Sequence, residues 1–460
     1  MAMSQLSELI LFINQKEMKK LETLALSGRE RTVWNELVKI DKKENIKKDL
    51  MKKFKISSDH YDKIQNILLN KVYDKLAGKS FYERIDFLRQ KMLFRHLFHE
   101  IKIGEKNFKS KDRTAAETEE FFKEIFDLSI TFPAKYFNEK KSLEYCAKYL
   151  ATKTGNERRK LLYVKSQLLY GRLKVLMFQP PFPAKLSSFR YELLTLEKDV
   201  KKADQDLMRY IYRCWIVYYT FVDSNPDLKA SYIGRYENII NEETPDYLYE
   251  IASLRINRAE VYYACAKYTE AEKKYRQAFD EYPEILKSNY HQWARLAELY
   301  LINEKPEVTK EILNKLFTPF LKSKHETHGV LAALISSKLY LYCKEYKKMK
   351  GCLDTGKNLN SKSIYFNYEM ELRMLDNIYF ALQGKTDYAL EVAHKNLRFI
   401  STKKISLKRY HPAAFFKLLI ALLDFKQNKK ELSKRDWDHL HSFANGFEKL
   451  YGIFLLRLIY

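Results

Sequence analysis

Two amphipathic helices joined by a tight turn, followed at once by a second pair of the same kind, fill Ile251 to Tyr300. No other stretch constrains the fold as much. The run IASLRINRAEVYYACAKYTEAEKKYRQAFDEYPE is succeeded by ILKSNYHQWARLAELY. Small residues stand where helices would cross: Ala259, Ala271, Ala278 and Ala297. Large ones, Tyr262, Tyr275 and Tyr300, follow three or four positions away. Side chains at that spacing share one face of a helix, and small ones let two backbones approach closely. A single helix pair cannot bury its apolar face, so such pairs must stack on neighbours.

The pattern resembles the tetratricopeptide repeat (TPR), a helix–turn–helix of 34 residues with W-x2-L-G-x2-Y in the first helix, then A-x3-F and a late proline. In the first copy Ala259 and Tyr262 fill two first-helix positions, and Ala271, Tyr275, Ala278 and Pro283 fill the second helix. The Trp and Leu positions are Arg255 and Arg258. In the second copy Trp293, Leu296, Ala297 and Tyr300 match, whereas Thr309 and Leu313 stand where Ala and an aromatic are expected. Weaker copies follow, with Tyr340 and Tyr346, then with Gly384, Ala389 and Ala393. The alternative is an irregular helical bundle with one TPR-like hairpin.

Helix boundaries have local signals. Thr269 with Glu272, Ser80 with Glu83, and Ser433 with Asp436 have capping-box spacing. Thr244–Pro245 and Asn225–Pro226 read as an N-cap followed by a first-turn proline. Twelve Gly and 10 Pro in 460 residues leave few breaks, which argues for an all-α chain. The breaks fall about 25 to 45 residues apart, the range for helix-pair repeats.

Residues 1–110 are read as a basic N-terminal helical region, with 24 Lys and Arg against 15 Asp and Glu, and residues 111–460 as the TPR-like repeat region. Helices are expected over 8–25, 30–40, 46–54, 58–76 and 80–100. The polar run 104–120 is the expected linker. DLMKKFKISSDHYDKIQNILLNKV, residues 49–72, has helix-turn-helix rhythm. A recognition helix meets DNA with its N-terminal side chains. The candidate nucleic-acid contacts are therefore Lys52, Lys53, Lys55, Ser57, Ser58, His60, Tyr61 and Lys63. The alternative is a capping bundle that shields the first repeat. A net charge of +24 suits nucleic acid or an acidic partner, or is lysine spread over solvated helix faces.

Cys146, Cys214, Cys265, Cys343 and Cys352 are scattered, with no CxxC, and are expected to be reduced core thiols rather than a disulfide frame or zinc site. His96 with His99, His325 with His328, and His439 with His441 offer two ligands each without a clustered third, so no metal or other cofactor is expected. There is no P-loop, GxGxxG, GxSxG or HExxH, and no catalytic constellation emerges. The apolar run 413–425 is too short to span a bilayer and includes Lys417, so no membrane insertion is expected. With no secretory signal in view, a soluble cytoplasmic protein is expected. YGIFLLRLIY, residues 451–460, is expected to be buried against the last helix pair or to form a dimer contact.

The expected fold is an all-α right-handed superhelix of TPR-like hairpins with a helical N-terminal region. The resemblance implies a protein-interaction or scaffold protein, not an enzyme. Its groove, lined by first helices, would hold a peptide or helix. The positions carried over are Ser253, Ile256, Glu260, Tyr263 and Ala264 from the first copy. The second copy adds His291, Ala294, Glu298, Leu301 and Ile302. These do not form the Lys/Asn/Arg clamp that some TPRs use for a C-terminal carboxylate. The alternative function is a nucleic-acid-binding regulator with a helix-turn-helix and a repeat region that senses a ligand.

Overall fold

A computed structural model describes residues 6, 9–10, 13, 15–38, 50–53, 55–90, 94–109, 114–131, 139–152, 156–175, 183–200, 204–244, 246–286, 289–322, 326–360, 366–402, 411–428, 431–445 and 449–458. Among these residues the regular structure is helical. The chain divides into two compact units, Met1–Glu117 and Thr118–Tyr460.

The first unit contains α1 (Gln15–Leu21), α2 (Gly28–Val38), α3 (Ser58–Leu76), α4 (Phe81–Gln90) and α5 (Phe94–Lys109). Ser80 and Glu83 form the expected capping box, each side chain bonded to the other's backbone N–H. Ser27 and Glu30 form another, which the sequence reading missed. The expected linker is largely helical: residues 104–109 complete α5, and α6 (Ala115–Thr131) starts soon after, capped by Thr114 and Glu117. Its amphipathic spacing outweighs its polar composition.

The second unit is a run of helix pairs. It continues α6 with α7 (Glu139–Leu150), α8 (Glu157–Val175), α9 (Pro183–Asp199), α10 (Gln205–Phe221), α11 (Pro226–Glu237), α12 (Tyr247–Ala264), α13 (Tyr268–Glu281) and α14 (Pro283–Leu286). Next come α15 (Tyr290–Ile302), α16 (Pro306–Ile312), a π-helical turn (Leu313–Phe317) and α17 (Thr318–Lys322). The series closes with α18 (Glu326–Tyr342), α19 (Tyr346–Leu359), α20 (Phe366–Leu382), α21 (Thr386–Thr402), α22 (His411–Asn428), α23 (Lys434–Asn445) and α24 (Lys449–Leu456).

The pairs share one corner. The carbonyl of an aromatic residue near the end of the first helix accepts an N–H five residues on. The acceptors are Tyr218, Tyr262, Tyr300, Tyr340 and Phe380. At the last four corners the residue before the donor is left-handed: the donor follows Ala266, Glu304, Lys344 and Gly384 at φ 57°, 61°, 61° and 74°. This is the Schellman device that satisfies the last carbonyls of a helix. Only Gly384 adopts the conformation without a Cβ penalty. From Tyr262 onward the acceptor recurs at intervals of 38, 40 and 40 residues, longer than the 34 of a TPR.

Small residues at the crossings are fully buried: Ala259, Ala271, Ala278, Ala297, Ala389 and Ala393 are each 0% exposed. An extra methylene there would overpack the contact by about 1–3 kcal/mol. The second copy's irregular second helix matches its irregular sequence. Thr309 takes the small position and returns its hydroxyl to the Ala297 carbonyl at 2.8 Å. The helix then widens into the π turn at Leu313.

Three local expectations are corrected. Thr269 does not cap α13, whose N-cap is Lys267; Glu272 instead accepts from Asn303 at 2.7 Å and Lys305 at 2.8 Å, tying one hairpin corner to the next. Thr244 does not cap α12, which starts after Asp246; its hydroxyl accepts from the Asn241 N–H. The cysteines are not uniformly core thiols. Cys146 and Cys214 are buried, but Cys265 and Cys343 are exposed at hairpin corners. By contrast, Asn225 caps α11 through the Leu228 N–H, and Ser433–Asp436 caps α23.

Candidate functional site

Along the second unit first helices pack on one another, α8 on α10, α15 on α18, α18 on α20 and α20 on α22, which gives the candidate first-helix face. On α12 the stripe Glu250, Ser253, Asn257 and Glu260 follows the three- and four-residue spacing of one helix side. Polar side chains of opposite sign concentrate on this face.

At its N-terminal end Arg213 on α10 pairs with Glu250, which also accepts the Tyr236 hydroxyl at 2.8 Å. The Arg213 guanidinium lies 5.5 Å from the Tyr170 ring and 5.6 Å from that of Tyr210. These aromatic faces, together with Glu250, hold an enclosed charge. Lys174, on α8, sits 5.6 Å from the Tyr170 ring, and burial together with the Arg213 charge holds its amine down to about 8.

The centre is built by α12, α13 and α15. Tyr275, fully buried, donates to Glu260 and lies 3.1 Å from Gln292 Oε1. Arg295 donates to the Tyr263 hydroxyl at 3.1 Å and to Glu298 at 2.6 Å, with its guanidinium 4.4 Å from the Tyr263 ring. Burial raises the Tyr275 hydroxyl well above its ordinary value, reinforced by the Glu260 charge, so it remains a donor. His291 is bonded to Tyr368 of α20 at 2.9 Å. Burial, with the charge of Lys174, lowers its imidazole to about 4 and keeps it neutral near pH 7.

Toward the C-terminal end the face is occupied by the chain itself. Lys338, 3% exposed, pairs with Glu298 and, at 2.7 Å, with Glu371. Tyr451 of α24 donates to Glu371 at 3.3 Å, packs 5.8 Å from Phe415 and lies under the Lys338 ammonium. Arg457 donates to the carbonyls of Leu341 and Tyr342 at 2.8 and 3.2 Å, closing the end of α18. Lys449 reaches the Tyr268 ring at the corner between α12 and α13. The apolar segment therefore crosses several first helices as well as packing on α23, a placement that its sequence did not foretell.

The expected groove residues divide by burial. Ser253, Glu260 and His291 are half-buried on the face. Ile256, Tyr263, Ala294, Glu298, Leu301 and Ile302 are buried, and Ala264 is exposed at the corner. Sequence reasoning missed Lys174, Arg213, Arg295 and Lys338, which look like ordinary surface cations. Only the helix spacing from Glu298 back to Arg295 hinted at a pair.

The expected DNA-contact residues lie in the first unit. Lys52, Lys53, Lys55, Ser57, His60 and Lys63 are exposed, Ser58 is half-buried and Tyr61 is buried. Ser57 caps α3, and Lys55 adopts φ 49° in the preceding turn. Of the expected first helix, 46–54, residues 46–49 and 54 lie outside the described residues, and 50–53 are helical. Lys53 is paired with Glu36 at 3.0 Å. Asp59 and Asp62 are exposed among His60 and Lys63, so acids interrupt the basic surface. Among the described residues no group of three or more His, Cys, Asp or Glu could hold a metal ion. No described helix is long and apolar enough to cross a membrane.

No family model matches the sequence. No curated protein matches it either. Solved structures do. A Rap protein complexed with Competence and Sporulation Factor overlays with a TM-score of 0.52 at 15% identity, over 75% of this chain and 96% of that one. The apo form of RapI gives a TM-score of 0.44 at 14% identity, over 75% of this chain and 97% of that one. At such identity a likeness establishes fold alone. With the recurring corner and the first-helix face, the Rap overlay establishes that this chain has an all-α, TPR-like helical-repeat fold.

Proposed function

We propose that the second unit binds a peptide, or a short segment of a protein partner, on the first-helix face between α8 and α15, as an adaptor rather than an enzyme. The observation that carries this reading is the contrast along the face. Its C-terminal stretch is covered by α24, whereas the N-terminal stretch displays enclosed but reachable side chains, with Arg213 and Arg295 retaining 24% and 31% side-chain exposure. Fixed donors, acceptors and aromatic faces on rigid helices suit an extended ligand. The overlaid Rap protein was solved with Competence and Sporulation Factor, which agrees with a ligand-binding role. The interspersed acids at Asp59 and Asp62 give the nucleic-acid alternative no comparable support.

Affinity selection of a random linear peptide library on the full chain tests the reading. Peptides should be enriched, and Ser253→Arg, which fills the half-exposed middle of the face, should reduce their retention at least tenfold. Failure to retain any peptide, or equal retention by the variant, overturns it.

A further inference from the structure

The first-helix face changes character along its length. Counting back nine and five residues from the corner acceptor, α12 carries Ser253 and Asn257, and α15 carries His291 and Arg295. The same two positions are Leu331 and Ile335 on α18, and Glu371 and Leu375 on α20. The three aliphatic ones are buried. The short helix α24 stands at this polar-to-apolar change. It packs on α15, and its Tyr451 meets both Glu371 and the Lys338 ammonium. Tyr451, Phe454 and Leu455 follow the i, i+3, i+4 spacing of one helix side, and all three are buried.

We propose that α24 is a displaceable occupant of the apolar half of the face, and that the bound peptide competes with it by bringing an aromatic and aliphatic segment of its own. This rests on the peptide reading above and adds the class of ligand: a polar segment for α12 and α15, continued by an apolar one for α18 and α20. An eight-residue helix is too short to persist in water, so α24 is helical only while it is packed. The charges beneath it are paired without its help, since Lys338 has both Glu298 and Glu371. Its polar ties to the face are replaceable. The Tyr451 hydroxyl reaches Glu371 only at 3.3 Å, and of the two carbonyls that Arg457 bonds, Leu341 also accepts the Lys344 N–H at 3.2 Å. Apolar burial holds the helix instead, with Phe454 and Leu455 both 0% exposed. An emptied seat would present apolar surface to water, so α24 is exchanged for other apolar side chains rather than simply released. It packs on α23 as well, and the hairpin of the two is the unit that moves.

The test uses the full chain and a random library of 15-residue peptides. The library is selected on wild type, Phe454→Ala and Arg457→Ala, with circular dichroism to confirm the fold. Both substitutions loosen α24 and leave the polar half of the face unaltered. Each variant should retain at least ten times as much peptide as wild type, enriched in Phe, Tyr, Leu and Ile. A synthetic copy of the most enriched sequence, added to wild type, should speed tryptic cleavage after Lys449 at least tenfold, because the displaced helix unwinds. This second arm needs no variant, so a substitution that prevents folding leaves it intact. Retention no greater in the folded variants than in wild type, or a bound peptide that leaves cleavage after Lys449 unchanged, overturns the competition and leaves the peptide reading standing. Retention of nothing by wild type or folded variants overturns both.

Discussion

Replacing Lys229 by Met should make this protein more stable at neutral pH. The Lys229 amine falls from an ordinary 10.5 to about 8, chiefly because burial penalises its charged form. At 1.36 kcal/mol per tenfold change in proton affinity, that is roughly 3 kcal/mol against the folded state at pH 7. Met keeps most of the buried stem and removes the charge, so a gain of about 1–3 kcal/mol is expected. The sign follows from linkage. Between about pH 8 and 10.5 the unfolded chain holds a proton that folded Lys229 has lost, so wild-type stability rises with pH through that window. The variant lacks this rise, and its advantage should shrink above pH 8 and vanish near 10.5. Other lysines and tyrosines titrate in both proteins and cancel in the difference. Urea unfolding of both at pH 7, 8.5 and 10 measures it. A variant less stable than wild type at pH 7, or a gap that does not change with pH, would refute the argument that Lys229 is an uncompensated buried charge.

Other perturbations probe the corners, the crossing helix and the N-terminal end of the second unit. Lys344→Gly, at an exposed left-handed corner with φ 61°, should gain about 0.5–1 kcal/mol in denaturant unfolding, since glycine adopts that conformation freely; a loss would mean that the Lys344 side chain has a role of its own. Phe454→Ala, at a site 0% exposed, should cost about 3–5 kcal/mol and speed proteolytic cleavage of α24, whereas an unchanged melting temperature would show that α24 does not pack as described. Burial raises the Asp127 carboxyl to about 7 although the Tyr163 hydroxyl donates to both its oxygens at 2.6 Å. Between pH 4 and 7 the folded state thus holds a proton that the unfolded state lacks, and stability should decline as pH rises through that window. Asp127→Asn should flatten this decline, and identical pH profiles would disprove the assignment.

Much of the local chemistry was legible where the decisive partner lies within four residues, although the Ser27–Glu30 box was missed. Ser80 with Glu83, Asn225 with Leu228, and Ser433 with Asp436 cap helices as their spacing indicates. The repeat was legible for the same reason: Ala259, Ala271 and Ala278 must be small wherever helix pairs cross closely. Thr269 with Glu272 misled because the same spacing recurs inside a helix, and a carboxylate there answers to a distant Asn303.

The site was legible only in outline. Ser253, Glu260 and His291 were reachable by carrying repeat positions along the chain, since a helix period assigns a face. Lys229 was not, because a lysine in a helix's first turn after Asn-Pro reads as a solvated cation. Its burial depends on α12, which packs on α11 from later in the chain. The sequence by itself determined the helices, their pairing and the face that first helices share, because these follow from side-chain spacing and size. Only the tertiary structure decided that Arg213 pairs with Glu250, that Lys229 has no ion-pair partner among the described residues, and that α24 covers part of the face. Those outcomes depend on which charges are brought together, and at what burial, by segments far apart in the chain.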